Sequence, residues 1–259
     1  MPAISIKVLG SGTSAGVPMI GCHCPVCSST DPRDRRTRTS IAVAYNGHVV
    51  LVDAAPELRL QAVNNYLDVV HAVVFTHAHA DHIFGLDDLR RYNTLLHAPL
   101  PIYAAPETLA SLQRIFSYAF GPRASDNEVY RPELLPQEIS GPFDLFGMTW
   151  QPIPLIHGRV KVLGFRVGKF AYCTDCSEIP PDSLRQLAGL DTLIIDALRP
   201  RVHPAHLNFA QALEVIAQLQ PRRAFFTHLS HDVSHVEIEK TLPMNVRVCY
   251  DGLQIQVEN

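Results

Sequence analysis

The segment VVFTHAHADHIFG (residues 73–85) constrains the fold and chemistry of this chain more than any other. An apolar run typical of a buried strand is followed at once by four side chains able to ligate a metal: His77, His79, Asp81 and His82. On an extended chain His77 and His79 point to the same side, and Asp81 stands where a helix begins. A divalent cation makes such crowding favourable, because each neutral imidazole donates a lone pair to it. A solvated, histidine-rich loop is the alternative.

Short β-branched runs recur along the chain and predict strands. They cover residues 4–9, 41–45, 48–53, 72–76, 101–104, 161–167, 192–196, 223–227 and 253–257. Helical spacing of apolar residues predicts helices over 56–67, 81–96, 106–120, 180–189 and 207–220. Strands followed by helices occur in both halves, and no linker separates the halves. We therefore expect a layered α/β arrangement of two packed sheets, in a single domain spanning residues 1–259.

Composition limits the classes of partner. The chain has 22 Lys and Arg against 25 Asp and Glu, a net charge of -3, which argues against a surface built to bind nucleic acid or membranes. No apolar run approaches the roughly 18–20 residues of a membrane span, and the N-terminal sequence has no leader-like pattern. We therefore expect a cytoplasmic protein with no membrane association and no stable nucleic-acid binding.

The H-x-H-x-D-H pattern resembles the metal-binding motif of the metallo-β-lactamase superfamily. That fold is an αββα sandwich of two mixed β-sheets flanked by helices, with a dinuclear metal site between the sheet edges. The resemblance continues in the segments PLIHG, FAYCTDCSE and RAFFTHLSH, which supply His157, Asp175 and His228. It implies one metal held by His77, His79 and His157. It implies a second metal held by Asp81, His82 and His228, with Asp175 bridging the two.

Two further aspartates match supporting positions of the same resemblance. Asp53, at the end of the predicted strand HVVLVD, corresponds to an aspartate that orients ligand imidazoles. Taken alone, Asp53 would more often be an aspartate of a strand-end turn. Asp196, in the segment IDAL, is expected in a similar supporting role.

Three cysteines, Cys22, Cys24 and Cys27, form a C-x-C-x2-C pattern in GCHCPVCSS. The spacing suits a tetrahedral zinc whose fourth ligand must come from elsewhere in the chain. It resembles PhnP-type phosphodiesterases, in which three such cysteines and a histidine three residues after the last catalytic ligand bind a structural Zn²⁺. Here that histidine is His231. A free-thiol or redox cluster is the alternative.

The same resemblance suggests residues for catalysis. Asp81 is expected to act in catalysis as well as in metal binding, and His206, in HPAHLNFAQ, matches a histidine near the substrate. We assign His206 an acid/base or orienting role, with His203 as the competing candidate. Arg36 and Arg38, from the basic cluster DPRDRRTRTS, are candidate phosphate contacts, although charge runs usually form a solvated face.

Together these features predict a metal-dependent phosphodiesterase. Two divalent catalytic metals, Mn²⁺ or Zn²⁺, would present a bridging hydroxide for in-line attack on a small phosphodiester. A cyclic ribose phosphate or a nucleotide-like diester follows from the resemblance, as does a homodimer. Two alternatives remain: a superfamily hydrolase of another class of substrate (thioester, lactone, β-lactam or RNA), or a metal-loaded binding protein without turnover.

Overall fold

Two seven-stranded β-sheets pack face to face in the computed structural model, which describes residues 3–121 and 130–257. The strands in these residues are β1 (Ile4–Gly10), β2 (Ser40–Tyr45), β3 (His48–Val52), β4 (Ala72–Val74), β5 (Leu100–Ala104), β6 (Leu134–Glu138), β7 (Phe143–Leu145), β8 (Met148–His157), β9 (Val160–Val167), β10 (Phe170–Cys173), β11 (Thr192–Asp196), β12 (Arg223–Thr227), β13 (Val246–Val248) and β14 (Gln254–Val257). The helices are α1 (Leu58–Asn64), α2 (Ala80–Ile83), α3 (Arg90–Leu96), α4 (Pro106–Ile115), α5 (Pro181–Gln186), α6 (Phe209–Leu219) and α7 (His235–Thr241).

Both sheets are mixed. The first has the order β14-β1-β2-β3-β4-β5-β6, in which β3 to β6 are parallel and the other pairs antiparallel. The second has the order β13-β12-β11-β10-β9-β8-β7, in which β10 to β13 are parallel and the other pairs antiparallel. The predicted sandwich of two mixed sheets is confirmed.

Successive side chains of a strand point to opposite faces of its sheet, so each central strand contributes both to the core between the sheets and to the layer under the outer helices. In β4, Val74 packs into the apolar cluster between the sheets, whereas Val73 points to the outer cluster that holds Leu86 and Leu112. In β11, Ile194 points inward, and Ile195 joins the outer cluster of the second sheet. Because both faces of these strands are buried, their central residues are apolar on both faces and helices must cover the outer faces.

One predicted helix is divided in the structure, and one long strand was not predicted, both for local reasons. The predicted helix 81–96 is divided into α2, a 3-10 turn over Leu86–Leu89, and α3. Gly85 lies at the division, where a Cβ would come within 2.0 Å of the Ala55 carbonyl oxygen, so the chain approaches its neighbour too closely for a regular amphipathic helix. Strand β8 was not predicted, because its Pro152 and Pro154 removed it from the strand pattern; both lie beyond the part of β8 that pairs with β7.

The carboxyl ends of several strands meet at one edge of the sandwich. The segments that follow β3, β4, β10 and β12 carry Asp53, the histidine motif, Asp175 and His228 respectively, and β11 ends at Asp196. Ligand sites in α/β sheets lie at such ends. Within the described residues, every helix is too short or too polar to cross a bilayer.

Candidate metal centre

The loop after β4 carries the histidine motif. The chain remains extended at Phe75, whose N–H donates to the Tyr103 carbonyl at 2.8 Å. Helix α2 then starts at Ala80, with His79 as its N-cap residue and Asp81 in its first turn, as predicted. His77 and His82 are buried, and His79 is exposed.

Three imidazoles form the first group of candidate ligands: His77, His79 and His157. One ring nitrogen of each lies within 4.8 Å of those of the other two. The ring centroids of His77 and His79 are 4.4 Å apart, and those of His79 and His157 are 5.1 Å apart. His157 ends β8 in the second sheet, so packing of the two sheets assembles this group.

A second group combines carboxylates with imidazoles: Asp81, His82, Asp175 and His228. Nε2 of His82 lies 3.2 Å from Asp175 Oδ2 and 3.4 Å from Asp81 Oδ2. Nε2 of His228 lies 3.2 Å from Asp175 Oδ1. The two imidazoles thus approach opposite oxygens of one carboxylate.

Asp175 connects the two groups. Besides its contacts with His82 and His228, its carboxylate lies within 4.8 Å of ligand atoms of His157 and His206. This is the placement that a bridging ligand requires. Its backbone has a left-handed φ of 51°, and His228 has one of 60°. Such backbone is unfavourable for residues other than glycine and concentrates at functional sites.

Asp53 holds two of the ligand segments. Its Oδ2 lies 2.7 Å from His82 Nδ1, and its Oδ1 accepts the Thr76 N–H at 2.8 Å. The Thr76 hydroxyl donates to Asp53 at 2.8 Å and lies 2.9 Å from His77 Nδ1. The carboxylate therefore fixes the ring of His82 directly, and the ring of His77 through Thr76, leaving both Nε2 atoms to face the site.

Three buried imidazole nitrogens at this site lack a well-formed hydrogen bond within the described residues, although two of them lie 3.2 Å from Asp175. Among the described residues, Nε2 of His77, of His82 and of His228 are buried without a hydrogen bond. A buried polar atom without a partner costs free energy unless something else satisfies it. Imidazole nitrogens beside carboxylates are good ligands for divalent cations, so these residues fit a metal pair.

Burial and charge act in opposite directions on these histidines. Burial lowers the pKa of His77 well below its ordinary value, and it also lowers the pKa of His157, which keeps both rings in the neutral form that ligates metals. Burial also works to lower the pKa of His228, but the charge of Asp175 outweighs it and raises that pKa to about 9. Without metal, His228 therefore carries a proton where a cation would otherwise neutralise the carboxylates.

His206 lies against the metal ligands. Its ring centroid is 4.6 Å from that of His157 and 4.6 Å from that of His228. Its Nδ1 lies 2.8 Å from Asp196 Oδ2, which also accepts the Cys176 N–H at 2.9 Å. His203 is farther out, with its ring 5.1 Å from His206 and its Nδ1 accepting the Ala205 N–H.

The three cysteines of the C-x-C-x2-C segment surround His231. Its Nδ1 lies 3.3–3.4 Å from the Sγ atoms of Cys22, Cys24 and Cys27. The hydrogen bond from the Cys27 N–H lowers the pKa of Cys24 to about 6, whereas burial raises the pKa of Cys27 to about 11. No disulfide joins these thiols, and three sulfurs with one imidazole fit a tetrahedral metal ion.

The predicted substrate contact of Arg36 is wrong. The residue is 1% exposed, and its guanidinium donates to Asp34 at 2.9 Å and to the Ser230 carbonyl at 2.6 Å. Both of these partners are internal, so Arg36 ties the basic segment to the loop that carries His231. Arg38 is partly exposed and donates to Glu57 and to the Ser14 carbonyl; its role as a phosphate contact stays a prediction.

Sequence reasoning missed the supporting groups that act through short contacts. Thr76 is one, because its hydroxyl links Asp53 to His77. The Ala205 carbonyl is another, lying 2.6 Å from His157 Nδ1. A threonine at a strand end between two site residues is a weak signal, and a backbone carbonyl leaves no signal in a sequence at all.

Comparison with known proteins agrees with this geometry. Residues 48–229 match the family described as Beta-lactamase superfamily domain. The chain is also similar, at 40% identity and a TM-score of 0.92, to a solved structure described as a new diphosphatase from the PhnP family. The similarity covers 99% of this chain and 98% of that one.

Two other relatives carry different names. A Porphyromonas gingivalis protein named octanoyltransferase is 37% identical over 256 residues, which are 97% of this chain and 51% of that protein, so the chain spans about half the length of this relative. Coenzyme PQQ synthesis protein B from Methylorubrum populi is 28% identical over 225 residues, covering 74% of this chain and 72% of that protein. The family match and the near-complete similarity to the diphosphatase show that the chain belongs to the metallo-β-lactamase superfamily and, within it, to the PhnP family.

Proposed function

We propose that this protein is a metal-dependent hydrolase that cleaves phosphodiester or phosphoanhydride bonds in small, nucleotide-like molecules. The observation that carries the proposal is the pair of ligand groups that meet at Asp175, which belongs to the second group and lies within 4.8 Å of a ligand atom of His157 in the first. Among the described residues, the buried Nε2 atoms of His77, His82 and His228 make no well-formed hydrogen bond. The likeness to a PhnP-family diphosphatase at 40% identity supports a phosphate substrate. Divalent cations held there would supply positive charge to phosphoryl oxygens and acidify a water molecule.

The side chains of the two ligand groups would hold the cations and keep them in position. His77, His79 and His157 would hold one cation, and Asp81, His82 and His228 the other, with Asp175 between them. Asp53 and Thr76 fix ring orientation before any substrate arrives. Such pre-organisation lowers the reorganisation needed during the reaction.

His206 is our candidate for the residue that moves a proton. If its Nδ1–H donates to Asp196, its Nε2 is left free to exchange a proton with the leaving oxygen of the substrate. The carboxylate holds the ring of His206 in one orientation, so Asp196 acts as a positioning residue. His206 is 8% exposed, so it is shielded from bulk solvent.

The cysteine cluster would bind a structural Zn²⁺. Its ligand His231 lies three residues after His228, and the intervening Leu229 bonds to Ser11 and Thr13 on a loop at the same end of the sandwich. A zinc ion there would fix the position of His228 from outside the catalytic centre.

The experiment is release of p-nitrophenol from bis(p-nitrophenyl) phosphate by protein loaded with Mn²⁺ or Zn²⁺, with and without chelator. We expect turnover that chelator abolishes and that His77→Ala reduces at least about 100-fold. His97→Asn is the matched control. It changes an exposed histidine at the end of α3 that belongs to neither ligand group, and it should keep full activity. Metal binding without turnover of this compound, of ADP or of a cyclic ribose phosphate would instead indicate a binding protein.

An acyl ester or thioester substrate is a second candidate. It is favoured by the 37% identity with the protein named octanoyltransferase, although half of that protein lies outside the match. The same metal-loaded protein should be assayed on an octanoyl thioester. Faster cleavage of that compound than of any phosphate substrate would replace our proposal with this one.

The physiological partner we propose is a small anionic substrate rather than a nucleic acid, in keeping with the net charge of -3. The homodimer, the single domain and the cytoplasmic location stay predictions.

A further inference from the structure

Three aromatic side chains form a continuous surface next to α2. Phe84 is 54% exposed and Tyr118 is 47% exposed, with Phe116, at 9%, between them. The ring centroids of Phe84 and Phe116 are 6.1 Å apart at an interplanar angle of 84°, and those of Phe116 and Tyr118 are 6.5 Å apart at 69°. Edge-to-face packing leaves at least one face of each outer ring uncovered by its neighbour.

This aromatic surface begins two residues after the candidate ligand His82. The Phe84 N–H donates to the Ala80 carbonyl at 3.1 Å, so Phe84 lies one helical turn after Ala80 and three residues after Asp81. Residues three and four apart share a helix face. Ala80 and its neighbour His79, a candidate ligand, are both exposed. Phe84 therefore lies one helical turn after Ala80, which follows the candidate ligand His79, and all three residues are exposed.

Contacts on the protein side hold the rings in place. The Tyr118 hydroxyl donates to Asp87 Oδ1 at 2.8 Å, and Asp87 also pairs with Arg90 at the start of α3. Phe116 packs into the apolar cluster that covers the outer face of the first sheet. The exposed rings thus lose little conformational freedom when a ligand lies on them, which reduces the cost of binding.

We propose that Phe84, supported by Phe116 and Tyr118, is the surface on which a planar ring of the substrate stacks while its phosphate binds at the metal centre. The inference rests on the proposed phosphate hydrolase function and narrows it to substrates that carry a base or aryl group. Stacking on an aromatic side chain accepts any flat ring, so the site favours purine and pyrimidine nucleotides over sugar phosphates of the same charge.

The test compares two ligands that share a phosphate and a ribose but differ in the base. Metal-loaded wild-type protein should bind AMP about tenfold more tightly than ribose 5-phosphate in calorimetric titrations. Phe84→Ala should weaken AMP binding to nearly the level of ribose 5-phosphate and leave ribose 5-phosphate unchanged. Phe84→Trp should restore AMP binding. Tyr66→Ala, which removes an aromatic ring that is 85% exposed on the segment after α1, is the matched control and should change neither affinity.

The outcomes separate the two proposals. If both ligands bind the metal-loaded protein equally, or if Phe84→Ala weakens both equally, the stacking surface is refuted while the phosphate function stands. If neither ligand binds and no phosphate compound is hydrolysed, the proposed function fails and this inference fails with it. If Phe84→Ala changes only the oligomeric state in sedimentation, the rings belong to a contact between copies and the inference is overturned.

Discussion

Nδ1 of His82 lies 2.7 Å from Oδ2 of Asp53, and both side chains are completely buried. Asp53 belongs to neither ligand group, yet it decides which nitrogen of His82 faces them. Burial raises the pKa of Asp53, and the adjacent His82 opposes that effect. The aspartate and the histidine therefore depend on each other, and the metal centre depends on both.

Asp53→Asn tests this dependence. An amide in place of the carboxylate presents an N–H to His82 or to Thr76, so the ring loses its orienting acceptor. We expect metal affinity to fall about 10- to 100-fold, measured by competition with a chromophoric chelator. Asp144→Asn, an exposed carboxylate on β7, is the control. Equal metal affinity in both variants would show that Asp53 only stabilises the fold.

His206→Ala should lower kcat about 100-fold with little change in metal content, because the residue borders the ligands without belonging to either group. His203→Ala should have a much smaller effect, since its ring lies beyond that of His206. Steady-state kinetics together with elemental analysis measures both quantities. The assignment reverses if His203→Ala proves the more damaging change.

Cys22→Ser should remove one metal ion per chain. Wild-type protein should contain about three ions, two catalytic and one structural, and the variant about two. Elemental analysis and thermal melts provide the readouts, and the variant should also unfold at a lower temperature. Ser28→Ala changes an exposed residue just outside the cluster and should leave both values as in the wild type. A wild-type content of two ions would contradict the structural zinc.

Arg36→Met should destabilise the protein by about 3–5 kcal/mol, because Asp34, 2% exposed, would keep its charge without its partner. Urea unfolding measures the loss. Arg35→Met, at the exposed neighbouring position, should cost little. Combining Arg36→Met with Asp34→Asn should recover part of the stability, and no recovery would mean that the Ser230 and Val233 carbonyls matter more than the charge pair.

Asp191→Asn should destabilise the protein in a way that depends on pH. Burial works against ionisation of Asp191, but hydrogen bonds from Arg222 and Thr192 lower its pKa to about 2. A lowered pKa means that the carboxylate stabilises the fold above its unfolded pKa of about 3.9, and that this stability is lost as the pH falls towards 2. We expect the variant to lose about 1 kcal/mol at pH 7 and progressively less below pH 4. A difference that does not vary with pH would exclude the charge effect.

Much of the fold could be predicted because its strands are apolar on both faces or carry strong β-branched runs. The predicted strands 192–196 and 223–227 coincide with β11 and β12. The predicted helix over 207–220 is α6, whose Asn208 caps the N-terminus with a reciprocal Gln211 contact. Strand β8 was not predicted, because its prolines hide a strand that is defined by pairing with β9. The break at Gly85 was not predicted, because it depends on a close approach to the Ala55 backbone.

The site divides in the same way. Local spacing was enough to find the histidine motif and the cysteine cluster, since residues a few positions apart must be neighbours in space. Local spacing could not predict which side chains are buried. Neighbouring arginines of the same basic segment differ, because Arg35 is exposed and Arg36 is buried. The contact between Phe84 and Phe116 could not be predicted either, because the two residues are far apart in the chain and meet only through packing.

The sequence by itself determined the donor chemistry of this protein, because the number and type of imidazoles, carboxylates and thiols are properties of its residues. Only the tertiary structure decided that Asp175 faces both ligand groups, that Asp53 fixes His82, and that Arg36 points inward. The physical reason is the short distance along the chain over which sequence spacing restricts atomic positions. Spacing along the chain restricts atoms within about one turn of helix or two residues of strand, whereas the relative positions of distant segments depend on how two sheets bury their apolar faces against each other.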